Sequence, residues 1–127
     1  MQVKIVTPAK LAFEENAEEI QVPGWDGEFG VLDGHAKLLS LTRPGVVVVH
    51  GTDGQQKLLV GKGFAEIGSE HVSLLVDLCE SVDEIDKDAA QKDLDAALSE
   101  LESLNISDAA YAFVKNRVDL AQARLDA

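Results

Sequence analysis

The chain reads as an α+β protein, with a β-sandwich over residues 1–84 followed by an antiparallel α-helical hairpin over residues 85–127. Three observations predict this. Apolar residues recur with a period near two as far as about Asp77. Beyond Glu84 they recur at three- and four-residue steps, and glycine, frequent up to Gly68, does not occur again. A period of two belongs to a strand with one face buried, and the longer step belongs to an amphipathic helix.

Along the first region, Val3 and Ile5 alternate with polar neighbours, as do Ile20 and Val22, then Phe29 and Val31. Val46-Val47-Val48-Val49 lacks alternation, which predicts a strand buried on both faces. Leu58 and Val60, then Val72, Leu74 and Val76, resume the period of two. Thr52-Asp53-Gly54 and Gly68-Ser69-Glu70 predict hairpin turns in which glycine takes a positive φ. Many short strands at close turn spacing predict an all-β sandwich or barrel.

In the second region, Leu94, Ala97, Leu98, Leu101 and Leu104 form one helical stripe, with Asp83 or Asp86 as the N-cap. Asn105-Ile106-Ser107 interrupts it, and Ser107 or Asp108 is the expected cap of a second helix. Its stripe is Ala110, Phe113, Val114, Val118, Ala121 and Leu125. So short a connection makes the helices antiparallel. A buried Leu or Phe contributes about 1.5–3 kcal/mol and alanine much less. The alanine-rich hairpin is therefore expected to dock weakly, as switching elements do. A static appendage fits the same pattern.

Composition narrows the function. A length of 127 residues fits one domain, or a small domain with an appendage, and 46% hydrophobic residues supply a core. The net charge of −12 repels phosphate backbones and anionic lipid, which argues against nucleic-acid binding and direct membrane insertion. One cysteine, Cys79, permits no internal disulfide and suits a reducing compartment. No signal-like segment opens the chain, and no run nears the roughly 20 apolar residues that span a bilayer. A soluble, cytoplasmic, acidic protein is expected.

No catalytic constellation stands out, so neither an enzyme nor a cofactor or metal is expected. His35, His50 and His71 lack the helical spacing of a zinc site, and no second cysteine assists them. Gly61-Lys62-Gly63 resembles a phosphate loop but has Gln56 where the first glycine belongs and Gly63 where Ser or Thr belongs. It reads as a bend between strands. Glu14, Glu15, Glu18 and Glu19 lack the spacing of a calcium loop and read as a solvated strand edge. The segment Val22 to Ala36 is different. Its glycines, at 24, 27, 30 and 34, pin a compact loop from which Trp25, Glu28 and His35 project, the make-up of a protein-docking edge.

That segment, VPGWDGEFGVLDGHA, with Arg43-Pro44-Gly45 after it, resembles the signature of the epsilon subunit family of F-type ATP synthases. Three further stretches match in order: Val60 to Ile67, Val72 to Asp77, and Glu84-Ile85-Asp86. The resemblance implies a β-sandwich followed by two helices. It also implies a non-catalytic rotor subunit of the central stalk, coupling ring rotation to ATP synthesis. Its partners would be a gamma-type stalk subunit and the loops of a c-type membrane ring. The C-terminal helices would reach the alpha/beta catalytic head and restrain ATP hydrolysis. The place implied is peripheral, on the cytoplasmic face of the inner or plasma membrane. Carried over by position, Glu28 faces the ring loops and His35 lies near the stalk and ring contact. Glu80, Ile85, Asp86 and Ala90 match the family's nucleotide positions, but Ala89 and Ala96 stand where its arginines belong. ATP binding is thus expected to be weak or absent. Asp33 and Lys37 replace two prolines, leaving the loop less stiff. Residues 84–127 carry ten acids and five bases, so the brake on hydrolysis is expected to be mild. The rival reading is a free-standing β-sandwich module that binds a small ligand or peptide and has no affinity for stalk or ring.

Overall fold

The computed structural model describes residues 1–127. Ten strands come first: β1 (Gln2–Val6), β2 (Leu11–Asn16), β3 (Glu19–Gly24), β4 (Gly27–Leu32), β5 (Leu38–Thr42), β6 (Gly45–Gly51), β7 (Gly54–Val60), β8 (Gly63–Ile67), β9 (His71–Val76) and β10 (Cys79–Ser81). A single 3-10 turn, Val82–Glu84, leads to helices α1 (Lys87–Glu102) and α2 (Tyr111–Asp126).

Hydrogen bonding runs β10-β7-β6-β3-β5-β8-β9-β1-β2, with β4 attached to β3. Strand β3 pairs with β6 along Glu19–Gln21 but reaches β5 only through Gly24 and Thr42. It therefore turns the corner between two layers, β10-β7-β6-β3-β4 and β5-β8-β9-β1-β2. All pairs are antiparallel except β1 with β9. The core lies between the layers, where alternate residues of each strand converge: Val3, Ile5, Ile20, Val22, Val31, Val47, Val49, Val60, Ala65, Ile67, Val72, Leu74 and Val76. These are mostly β-branched, and their stiff side chains pack well on a pleated surface.

The valine run behaves differently from the expectation. In β6 only Val47 and Val49 are buried; Val46 and Val48 are half-buried. The sandwich has just two layers, so the outer face of β6 meets only the edge of the hairpin. In β7, conversely, Leu59 is fully buried although it faces away from the core that holds Val60. The turn at Thr52-Asp53 is present, closed by Gly54 at φ 118°. Gly68 has no positive φ; its role is close approach, since a Cβ there would lie 2.4 Å from the His71 ring.

Asp86 caps α1, its carboxylate accepting the Ala89 N–H at 3.1 Å. Helix α2 begins later than expected, at Tyr111, with Ala110 as an N-cap that offers no side chain to the free N–H groups; Asp108 instead accepts the Asn105 N–H at 2.8 Å and closes the connecting turn. The hairpin seam is Leu94, Ala97, Val118 and Ala121, flanked by Leu101 and Leu125. Leu98 and Phe113, expected in the stripes, are exposed, Phe113 by 69%. Two helices alone bury only a narrow seam, and residues one step off it stay in water. Ala110, also expected in the stripe, precedes the helix and is exposed.

Candidate docking surfaces

The structure separates the three side chains that the glycine-rich segment offered as one edge. Trp25 sits in the β3–β4 turn and Glu28 just after it, paired with Pro23. Gly27, at φ 130°, makes that turn possible, because only glycine tolerates this backbone. Trp25 is 65% exposed. His35 lies beyond the far end of β4, where the Gly34 N–H donates to the Ser69 carbonyl at 2.8 Å and fastens the loop to the β8–β9 turn. The His35 Nδ1 lies 2.6 Å from the Ala36 carbonyl, which fits Nδ1–H as donor. Trp25 and Glu28 thus mark one end of the sandwich and His35 the other.

Between those ends runs a surface that no single stretch of sequence announces. Strand register places Leu41 beside Phe64, Phe64 beside Leu75, Leu75 beside Val6, and Val6 beside Leu11. All five lie on the outer face of the second layer. Leu41, Phe64, Leu75 and Leu11 are each about half exposed. The Trp25 N–H donates to the Leu41 carbonyl at 2.9 Å, setting residue 25 at the end of this row. The adjacent row is Leu39, Glu66, Ser73, Lys4 and Glu14, with Lys4 and Glu14 paired at 3.3 Å. An apolar stripe bordered by polar residues has the make-up of a protein interface.

The residues matching nucleotide positions gather where the hairpin meets the first layer. Glu80, on β10, is paired with Arg124 of α2, whose Nη2 lies 2.6 Å from Oε1. Ile85 is half-buried in the connection, Asp86 serves as the α1 cap, and Ala90 is buried one turn later. Ala89 and Ala96 are exposed and bring no positive charge. Burial pushes the thiol of the neighbouring Cys79 above its ordinary value, with nearby Lys10 acting in the opposite direction. Such a thiol stays protonated and poorly nucleophilic. Gly61-Lys62-Gly63 forms the bend between β7 and β8, so close to β9 that a Cβ on Gly63 would lie 1.9 Å from the Leu75 carbonyl oxygen. No three His, Cys, Asp or Glu side chains converge as a metal-ligand set, and no helix is long and apolar enough to cross a membrane.

Comparison with known proteins agrees with this architecture. The family described as "ATP synthase, Delta/Epsilon chain, beta-sandwich domain" matches residues 1–82. The ATP synthase epsilon chain of Magnetococcus marinus is 38% identical over 127 residues, covering 100% of this chain and 93% of that one. The cyanelle ATP synthase epsilon chain of Cyanophora paradoxa is 35% identical over 130 residues, covering 100% and 96%. Among solved structures, a chain of the Euglena gracilis mitochondrial ATP synthase (OSCP/F1/c-ring) superposes with a TM-score of 0.83 at 20% identity, covering 95% of this chain and 76% of that one. At that identity the superposition speaks for the fold.

Proposed function

This chain belongs to the ATP synthase delta/epsilon family, and from that premise we propose that it is a non-catalytic rotor subunit in the central stalk of an F-type ATP synthase. The observation that carries the reading is the apolar row Leu41, Phe64, Leu75, Val6 and Leu11. A coupling subunit needs a lasting contact with the rotating shaft, and lasting contacts rest on apolar burial. The gamma-type stalk subunit is assigned to this row. Glu28, at the Trp25 end, is assigned to basic loops of the c-type ring, where a carboxylate forms charge-assisted hydrogen bonds. His35, at the opposite end, belongs to a separate contact with the stalk. Residues 1–84 thus carry the docking, and the subunit sits peripherally in the complex, on the cytoplasmic face of the membrane.

The hairpin is assigned a mild restraint on hydrolysis by the alpha/beta head. Ten acids against five bases in residues 84–127 give it a repulsive charge toward any acidic segment of the head. ATP is not a strong ligand, because the arginine positions are alanine and the Glu80 carboxylate is already engaged by Arg124.

The test is retention in the assembled enzyme. The tagged chain, isolated from its own membranes, should bring down stalk, ring and head subunits. Phe64→Asp puts a charge into the row at a half-exposed position, and retention should fall at least tenfold, equivalent to about 1.4 kcal/mol, with the unfolding midpoint of the isolated variant as the control for folding. Full retention of the variant would remove the row from the interface. Absence of the complex from the wild-type isolate would favour the free-standing module.

A further inference from the structure

The hairpin touches the sandwich at one place where charges are withdrawn from water. On the outer face of the first layer, Glu80, Leu59 and Val46 form a row across β10, β7 and β6. Leu59 is fully buried there, and β7 is covered by the 3-10 turn that leads to the hairpin. Arg124 donates through Nε and Nη2 to Glu80 Oε1 at 2.9 and 2.6 Å. Their side chains are 23% and 29% exposed, whereas Lys4–Glu14, Lys115–Asp119 and Arg117–Glu100 leave both partners more than a third exposed. Exposed pairs contribute little, while a partly dry, charge-assisted contact in which two arginine N–H groups converge on one carboxylate oxygen is stronger.

The same turn of α2 is held from a second direction. Lys87, the first residue of α1, donates Nζ to the backbone oxygens of Arg124, Leu125 and Ala127 at 2.8, 2.9 and 2.7 Å. These oxygens have no partner within the helix and form the negative end of its dipole, so an ammonium group suits them twice over. Beyond its contact with β6 and the Arg124–Glu80 pair, α2 stands off the sandwich. A cleft of about 900 Å³ separates its Tyr111–Asp126 face from Pro23, Trp25, Arg43 and Lys62.

We propose that the last turn of α2 is an ionic latch. Arg124 on Glu80 fixes the hairpin to the sandwich, while Lys87 joins the two helix ends to each other. Breaking the Arg124–Glu80 pair then takes the sandwich's support away from the hairpin, so that α1 and α2 open together as one unit while the sandwich stays folded. This goes beyond the docking reading above and does not depend on it.

Native-state hydrogen exchange of the full chain, read by mass spectrometry, tests the latch. In Arg124→Gln and in Glu80→Gln, amides of α1 and α2 should exchange together about tenfold faster, with β1, β3 and β9 unchanged. The swap of both charges, Glu80→Arg with Arg124→Glu, should recover most of the protection. Arg124→Lys keeps the charge without the fork and should fall between wild type and Arg124→Gln. Unchanged helix protection in the single variants would overturn the latch. Acceleration of α2 alone would show that the helices part instead of moving together. Acceleration of the strands in step would show that the pair supports the whole fold.

Discussion

The sandwich gathers fourteen buried apolar side chains into one cluster; the hairpin gathers four, two of them alanine. A cluster of the first kind excludes water on every side and is stabilised by each valine, isoleucine and leucine it contains. One of the second kind gains little from burial, and charge fills the gap: Arg124 on Glu80 and Lys87 on the α2 carbonyls. The difference is one of response as well as magnitude. Apolar cores are indifferent to moderate salt, whereas ionic docking weakens as the Debye length falls from about 10 Å at 0.1 M to about 3 Å at 1 M. A rigid half for contact and a loosely held half for movement follow from this composition.

The largest test of that contrast is in the core. Leu74→Ala should cost the sandwich about 2–5 kcal/mol in urea unfolding, since Leu74 is fully buried in the core cluster. A loss below about 1 kcal/mol would mean the cluster is looser than its burial indicates. Next in size is Gly63→Ala, at about 1–3 kcal/mol, because the new Cβ would meet the Leu75 carbonyl oxygen, backbone that is committed to the sheet. Gly61→Ala should cost less, since the atom it meets first is Oδ1 of the exposed Asp77, a side chain free to turn away. A reversed order would place the rigid point at the wrong glycine.

Val118→Ala probes the other half. It should remove roughly 1 kcal/mol from the seam, and the loss should appear only in the exchange of α1 and α2 amides. Loss of strand protection as well would mean the two halves unfold as one. The smallest effect concerns nucleotide. Calorimetric titration of the subunit with ATP in low salt should show millimolar binding or none, and Ala89→Arg should strengthen whatever exists. Two missing charge-assisted contacts, each worth about 1.5–3 kcal/mol, place binding there. A dissociation constant in the low micromolar range would overturn the expectation of weak binding.

Periodicity carried much of the architecture. Val3, Ile5, Ile20, Val22, Val72 and Leu74 all face the core their alternation predicts, and the Leu94–Ala97 and Val118–Ala121 steps form the helix seam. It misled where burial depends on neighbours. Val46 and Val48 lack a full third layer, Leu59 acquires one, and Phe113 falls outside a seam two helices wide. The glycine-rich segment was legible as a compact loop around Trp25 and Glu28. Its reading as a single edge including His35 did not foresee that β4 would carry His35 to the opposite end of the sandwich.

Strand and helix type, the position of most turns and the acidic surface were determined by the sequence alone, which also narrowed the α1 cap to Asp83 or Asp86. Each depends on residues within a few positions of one another, where side-chain direction follows directly from backbone period. The row Leu41–Phe64–Leu75–Val6–Leu11 and the Arg124–Glu80 pair were decided only by the tertiary structure. Their members lie far apart in the chain, Arg124 and Glu80 by 44 residues, and come together through ladder register and helix docking. A shift of one residue in any of those strand pairings would turn the row into the core and scatter it.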